Sequence, residues 1–160
     1  MILSTHAIVG GAVASLFPSH PILVAALGFA SHFAIDAIPH WDYPLQSISV
    51  GPGANNWALK MNRRLFRDVV LIGLDACAGI ALTLLLFASP STIGVIALGA
   101  LAGMLPDALQ IVHSLYPRGP LGTLQLFHRW IHTKRHLAWK IGASSQAIFA
   151  AVVAGVALLR

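Results

Sequence analysis

The sequence contains no glutamate and one cysteine, and its five acidic side chains are all aspartate. A coiled coil, a disordered tail and a charge-covered soluble enzyme each need far more charge than the 9% of residues available here. The lone Cys77 lies inside an apolar run, which excludes an intramolecular disulfide, a CxxC redox pair and a cysteine-rich zinc site. What the chain has instead is apolar surface. Of 160 residues, 57% are hydrophobic and mean hydropathy is +0.77, which points to an integral membrane protein. A formal charge of +5 would suggest nucleic acid in a soluble domain. Here the basic residues flank apolar spans, so membrane topology explains them and no nucleic-acid partner is expected.

Crossing about 30 Å of hydrocarbon takes about 20 helical residues, because a helix pairs its own backbone groups where water cannot. An all-α, polytopic bundle in one membrane domain follows, with about five spans at residues 2–17, 21–38, 69–89, 91–112 and 141–159. The first run is short enough to enter a bilayer without crossing, and it is taken as a span. No Lys or Arg precedes it and His6 interrupts it, which argues against a cleaved signal peptide. Pro90 reads as a tight turn between antiparallel helices.

Lys and Arg set the orientation. Lys60, Arg63, Arg64 and Arg67 fall in the connection 39–68, and Arg118, Arg129, Lys134, Arg135 and Lys140 in the connection 113–140. Both connections lie on one side, so five helices with an inside N-terminus obey the positive-inside rule. The location implied is the inner membrane. Trp41, Tyr43, Trp57, Trp130 and Trp139 lie in or beside these connections, as an aromatic belt would. Residues 46–56 form a Ser/Gly/Asn-rich candidate linker.

Ionisable residues in a membrane protein usually serve a site. His32, Asp36 and His40 follow at i, i+4 and i+8, with Asp42 just beyond. His128, His132 and His136 repeat every fourth residue and align if that segment is helical. Two imidazoles at i, i+4 can chelate one metal. Imidazole and carboxylate donors together suit zinc, manganese or iron, with zinc first, as one or two ions. The topology brings these residues, with His6, Asp75, Asp107 and His113, to one membrane face, and leaves His20 on the other. His6, His20 and His113 read as capped or solvated side chains. Asp75 reads equally as part of the site or as a helix-to-helix hydrogen-bonding group.

At these residues the sequence resembles the membrane-bound metal-dependent hydrolases, an inner-membrane family. The resemblance rests on Thr5-His6, the block from Ser31 to Asp42, Leu105-Pro106-Asp107, and the block from His128 to Thr133. In that last block the family form runs closer to His-Arg-Gly-x-Thr-His-Ser, where this chain has Trp130-Ile131-His132-Thr133. The resemblance implies a small multi-span protein with a metal site, and its HxxxD spacing is similar to that of zinc-dependent phospholipases C.

The expectation is metal-assisted hydrolysis of a phosphoester in a lipid or lipid-linked substrate at the cytoplasmic headgroup level. His32, Asp36, His40, Asp107, His128 and His132 are the candidate ligands. Asp42, Asp107 and Arg129 are the candidate catalytic groups, and Arg129 and Lys134 would hold phosphate oxygens. Partners would be membrane lipid and anionic headgroups. Small residues such as Gly99, Ala102 and Gly103 allow close helix approach, within the chain or in a homo-oligomer. The alternative is a non-catalytic membrane protein, a metal or proton transporter centred on Asp75 or a partner-binding subunit.

Overall fold

A computed structural model describes residues 1–50, 57–59, 62–116 and 119–160. Lys60, Arg118 and much of the 46–56 linker lie outside the described residues, as does the side chain of Trp57. Among the described residues there are six helices: α1 (Leu3–Leu16), α2 (Pro21–Asp36), α3 (Arg63–Phe87), α4 (Ile93–Leu115), α5 (Pro120–Ile131) and α6 (Trp139–Leu158). The helical architecture is as expected. A short antiparallel hairpin of β1 (Ile48–Val50) and β2 (Trp57–Leu59) interrupts the connection expected to be loop. Ile-Ser-Val and Trp-Ala-Leu both alternate large with small residues, a strand pattern.

Three helices, α3, α4 and α6, are long and apolar enough to cross a membrane, with 25, 23 and 20 residues. α1 and α2 have 14 and 16 residues, about 21–24 Å at 1.5 Å per residue and short of a hydrocarbon core. α1 carries no Asp, Lys or Arg, and after His6 it is apolar on every side as far as Ala14. Ten of its 14 residues are buried, enclosed by α2, α3, α4 and α6.

α3 starts six residues before the expected 69, because Asn62 caps it by accepting from the Arg64 N–H at 2.9 Å. Arg63, Arg64 and Arg67 therefore sit on its first turns and not in a loop. At the Pro90 turn, Ser89 N–H donates to Thr92 Oγ1 at 2.9 Å.

Two features fix α1. Its crossing with α4 is backbone to backbone: a Cβ on Gly103 would stand 2.5 Å from the His6 carbonyl oxygen, and one on Gly10 would collide with the Gly99 carbonyl. Its first amides are capped from three other segments. Ile2 N–H donates to Gln146 Oε1 (2.9 Å), Leu3 N–H to Tyr43 Oη (2.8 Å) and Ser4 N–H to Asp75 Oδ2 (2.9 Å). The Tyr43 hydroxyl in turn donates to that same Asp75 oxygen. These contacts satisfy orphan helix donors and set a carboxylate against the positive end of the α1 dipole. Asp75 is thus a helix-to-helix hydrogen-bonding group, with the Ser4 backbone as its partner and not a Ser or Thr hydroxyl.

Candidate metal centre

The start of α1, the end of α2 and the later turns of α4 and α5 meet at one end of the bundle. One turn separates His32 from Asp36 on α2, so both project to the same side. Asp36 is 1% exposed, and its Oδ2 lies 3.0 Å from His128 Nε2 and 3.2 Å from His32 Nε2. The two imidazole nitrogens are 3.2 Å apart, and Asp107 Oδ1 is 3.6 Å from His32 Nε2. One donor atom from each of His32, Asp36, Asp107 and His128 lies within 4.8 Å of the other three. A tetrahedral ion with bonds of about 2.0–2.2 Å has ligand-to-ligand edges of about 3.3–3.6 Å. Four of the six separations are 3.0–3.6 Å, close to those edges, and the two from Asp107 to Asp36 and His128 are within 4.8 Å.

Tautomers favour the same use. His32 Nδ1 is 2.8 Å from the Gly103 carbonyl oxygen, which can only accept, so Nδ1 carries the proton and neutral His32 presents a lone pair at Nε2. Pro106, inside α4, lacks the N–H that would bond the neighbouring Ala102 carbonyl. His40 and His132 are pinned alike, Nδ1 donating to the Ile38 carbonyl at 2.7 Å and the Thr133 carbonyl at 3.1 Å. Metal-ligating histidines are oriented by such backbone bonds. A buried lone pair facing carboxylate oxygens at these distances needs either extra protons or a cation, because desolvated charge costs several kcal/mol when unpaired.

The other oxygen of Asp36 has its own neighbours. Oδ1 lies 2.9 Å from the Met1 amino nitrogen, 3.2 Å from His6 Nε2 and 4.0 Å from His40 Nε2. Asp42 Oδ1 is 2.9 Å from His40 Nε2, while its Oδ2 is 3.2 Å from His136 Nδ1 and 3.9 Å from His132 Nε2. Burial pushes the Asp42 carboxyl up, but the His40 hydrogen bond and the Met1 charge outweigh it and hold it well below the usual carboxylate range. Burial pushes His132 down, so its imidazole stays neutral more readily. Burial, then the bond to Asp75, pushes Tyr43 up and keeps it a donor.

Several expectations are corrected. α5 ends at Ile131 and His132 is its C-cap with ψ 134°, so His128, His132 and His136 do not share one helix face. His128 instead joins the first group of donors, and His132 falls with Asp36 and His40 in a second. His6 and His113 are buried and not solvated: His6 is 0% exposed, stacks on His32 with centroids 4.0 Å apart, and pairs through Nε2 with Asp36 Oδ1 at 3.2 Å, outside good hydrogen-bond geometry. His6 joins the cluster that sequence reasoning left it out of. Lys134 Nζ donates to the Arg129 carbonyl and caps α5, so it is turned to the helix end. Arg129 sits half-buried beside His128 on α5. Trp130, on the same turn, is 75% exposed, as a headgroup-level aromatic would be.

Compared with family models, curated proteins and solved structures, the chain matches none.

Proposed function

We propose that this chain is an inner-membrane, multi-pass, metal-dependent hydrolase that cleaves a phosphoester in a lipid or lipid-linked substrate at the cytoplasmic face. The observation that carries the reading is the largely buried four-donor set of His32, Asp36, Asp107 and His128, all within 4.8 Å of one another, with its preset His32 tautomer. The resemblance of the His32, Asp107 and His128 blocks to membrane-bound metal-dependent hydrolases agrees with it. Two nitrogen and two oxygen donors without sulfur suit zinc. When bound, such a divalent ion supplies Lewis acidity and brings water to a pKa of about 7.

The chain's own residues supply the rest. Asp36 and Asp107 offer anionic donors, and His32 and His128 offer neutral ones. With no glutamate present, proton transfer falls to the rim, where Asp42 is 34% exposed and within 3.9 Å of His132. The Asp42 carboxylate is ionised and is placed to orient an attacking water at that rim. Arg129, adjacent in sequence to His128, is the candidate for holding phosphate oxygens. The exposed Leu126, Phe127 and Trp130 on α5 would lie among lipid tails and headgroups, which would place the rim at the level of a lipid phosphate.

The transport alternative depends on Asp75, which is engaged by Ser4 and Tyr43 as a cap for α1. Purified protein in detergent micelles, loaded with zinc and offered phosphodiester and phosphomonoester lipids, tests the reading. Expected is chelator-sensitive release of headgroup or phosphate, lowered at least 100-fold in Asp107→Asn. Absence of turnover, together with Asp75-dependent cation uptake into proteoliposomes, would reverse it.

A further inference from the structure

Asp36 divides its two oxygens between two sets of donors. Oδ2 faces His32 and His128, with His132 Nε2 also 3.9 Å from it, whereas Oδ1 is 4.0 Å from His40 Nε2. On that second side, donor atoms of Asp36, His40 and His132 all lie within 4.8 Å of one another, and Asp42 brings Oδ1 to 2.9 Å from His40 Nε2. We infer that a second divalent-cation site lies here, formed by His40, Asp42 and His132 and sharing Asp36 with the first as a bridging carboxylate. The inference rests on the hydrolase reading for the existence of the first centre.

Three independent observations support it. First, His40 and His132 each give their Nδ1 proton to a backbone carbonyl, so each neutral ring presents a lone pair at Nε2 to the shared space. Second, that space holds a positive charge, which a divalent ion would displace: the Met1 ammonium occupies it, 2.9 Å from Asp36 Oδ1, 2.8 Å from His40 Nε2 and 3.0 Å from Asp42 Oδ1. Third, the backbone holds the two halves of the site together, through Thr133 N–H to the Asp36 carbonyl at 2.8 Å and Leu137 N–H to the His40 carbonyl at 2.9 Å. These bonds tie the segment after α5 to the segment after α2, so His132 cannot drift from His40 without breaking them. Paired ions held by a common carboxylate can clamp the attacking and leaving oxygens of a phosphoester, which gives the second site a chemical use.

Zinc stoichiometry tests this on the full chain in detergent, loaded with zinc sulfate, desalted and measured by elemental analysis. Wild type should retain two zinc ions per chain. Asp42→Asn and His132→Gln, both at the accessible rim, should each retain one while eluting as wild type does in size exclusion. One ion in wild type, unchanged in both variants, would overturn the second site and leave the first standing. Two ions in wild type and in both variants would also overturn it, by placing the second ion elsewhere. No retained zinc in wild type would sink the hydrolase reading along with it.

Discussion

His32 and His128, 96 residues apart in sequence, bring their Nε2 atoms within 3.2 Å of each other. Two neutral imidazoles have no reason to approach nitrogen to nitrogen unless one donates to the other or both point at a third body. The Gly103 carbonyl holds the His32 proton on Nδ1, so a neutral His32 cannot donate from Nε2. The approach is then held by a proton on His128 Nε2, whose Nδ1 has no hydrogen-bond partner among the described residues, or by a shared cation with Asp36 and Asp107 completing its shell.

His32→Gln should therefore weaken zinc binding by more than about 100-fold, since loss of a mere orienting partner already costs 10–100-fold. Competition against a chromogenic chelator measures it. Unchanged affinity would remove His32 from the ligand set.

Gly103→Ala tests how the fold positions that ligand. The added methyl would meet the His6 carbonyl oxygen at 2.5 Å, forcing α1 from α4. Overpacking of this kind costs about 1–3 kcal/mol. A lower Tm in detergent and weaker zinc binding should appear together, because the same residue supplies the carbonyl that orients His32.

Tyr43→Phe separates structure from chemistry. It removes the hydroxyl that accepts from Leu3 N–H and donates to Asp75, leaving buried groups unmatched at a cost of about 1–3 kcal/mol. Tm should fall while zinc content stays at the wild-type value. A loss of zinc without loss of stability would instead place Tyr43 in the site.

Acidification should release the metal. Protons and metal compete for the same Nε2 and carboxylate lone pairs, so retention is expected to fall as pH drops below about 6.5, the ordinary imidazole value. The metal-free fold should respond in the same direction. Asp42 is held below its ordinary value and His132 is pushed down by burial, so the unfolded chain binds more protons than the folded one at acid pH. Their contribution is present above their ordinary values and is lost as pH falls through and below them. Zinc measured after dialysis at stepped pH, beside Tm of the metal-free protein, checks both.

Much of this site was legible in residue order. The His32–Asp36 spacing read as one helix face, and counting Lys and Arg brought Asp107 and His128 to the same end as α2. The end of α5 was not legible, because Trp130-Ile131-His132 carries no glycine or proline to stop a helix. Thr133 and Leu137 break off instead to bond the Asp36 and His40 carbonyls, contacts made across about a hundred residues. His6 was missed for a related reason: a single imidazole in an apolar run has no local partner, and only the close crossing of α1 on α4 sets it on His32. Asp75 likewise found its partners in segments no periodicity connects to it. The five-span pattern rested on apolar length, and α1 satisfies its apolar surface against other helices.

Zinc K-edge absorption on the protein loaded with one equivalent of zinc reads the ligand shell at His32 and His128 itself. Four nitrogen or oxygen neighbours at about 2.0–2.2 Å are expected, with outer-shell scattering from two imidazoles that disappears in His32→Ala/His128→Ala. A six-oxygen hydrated ion without imidazole scattering, or a spectrum unchanged in that double variant, would contradict that shell.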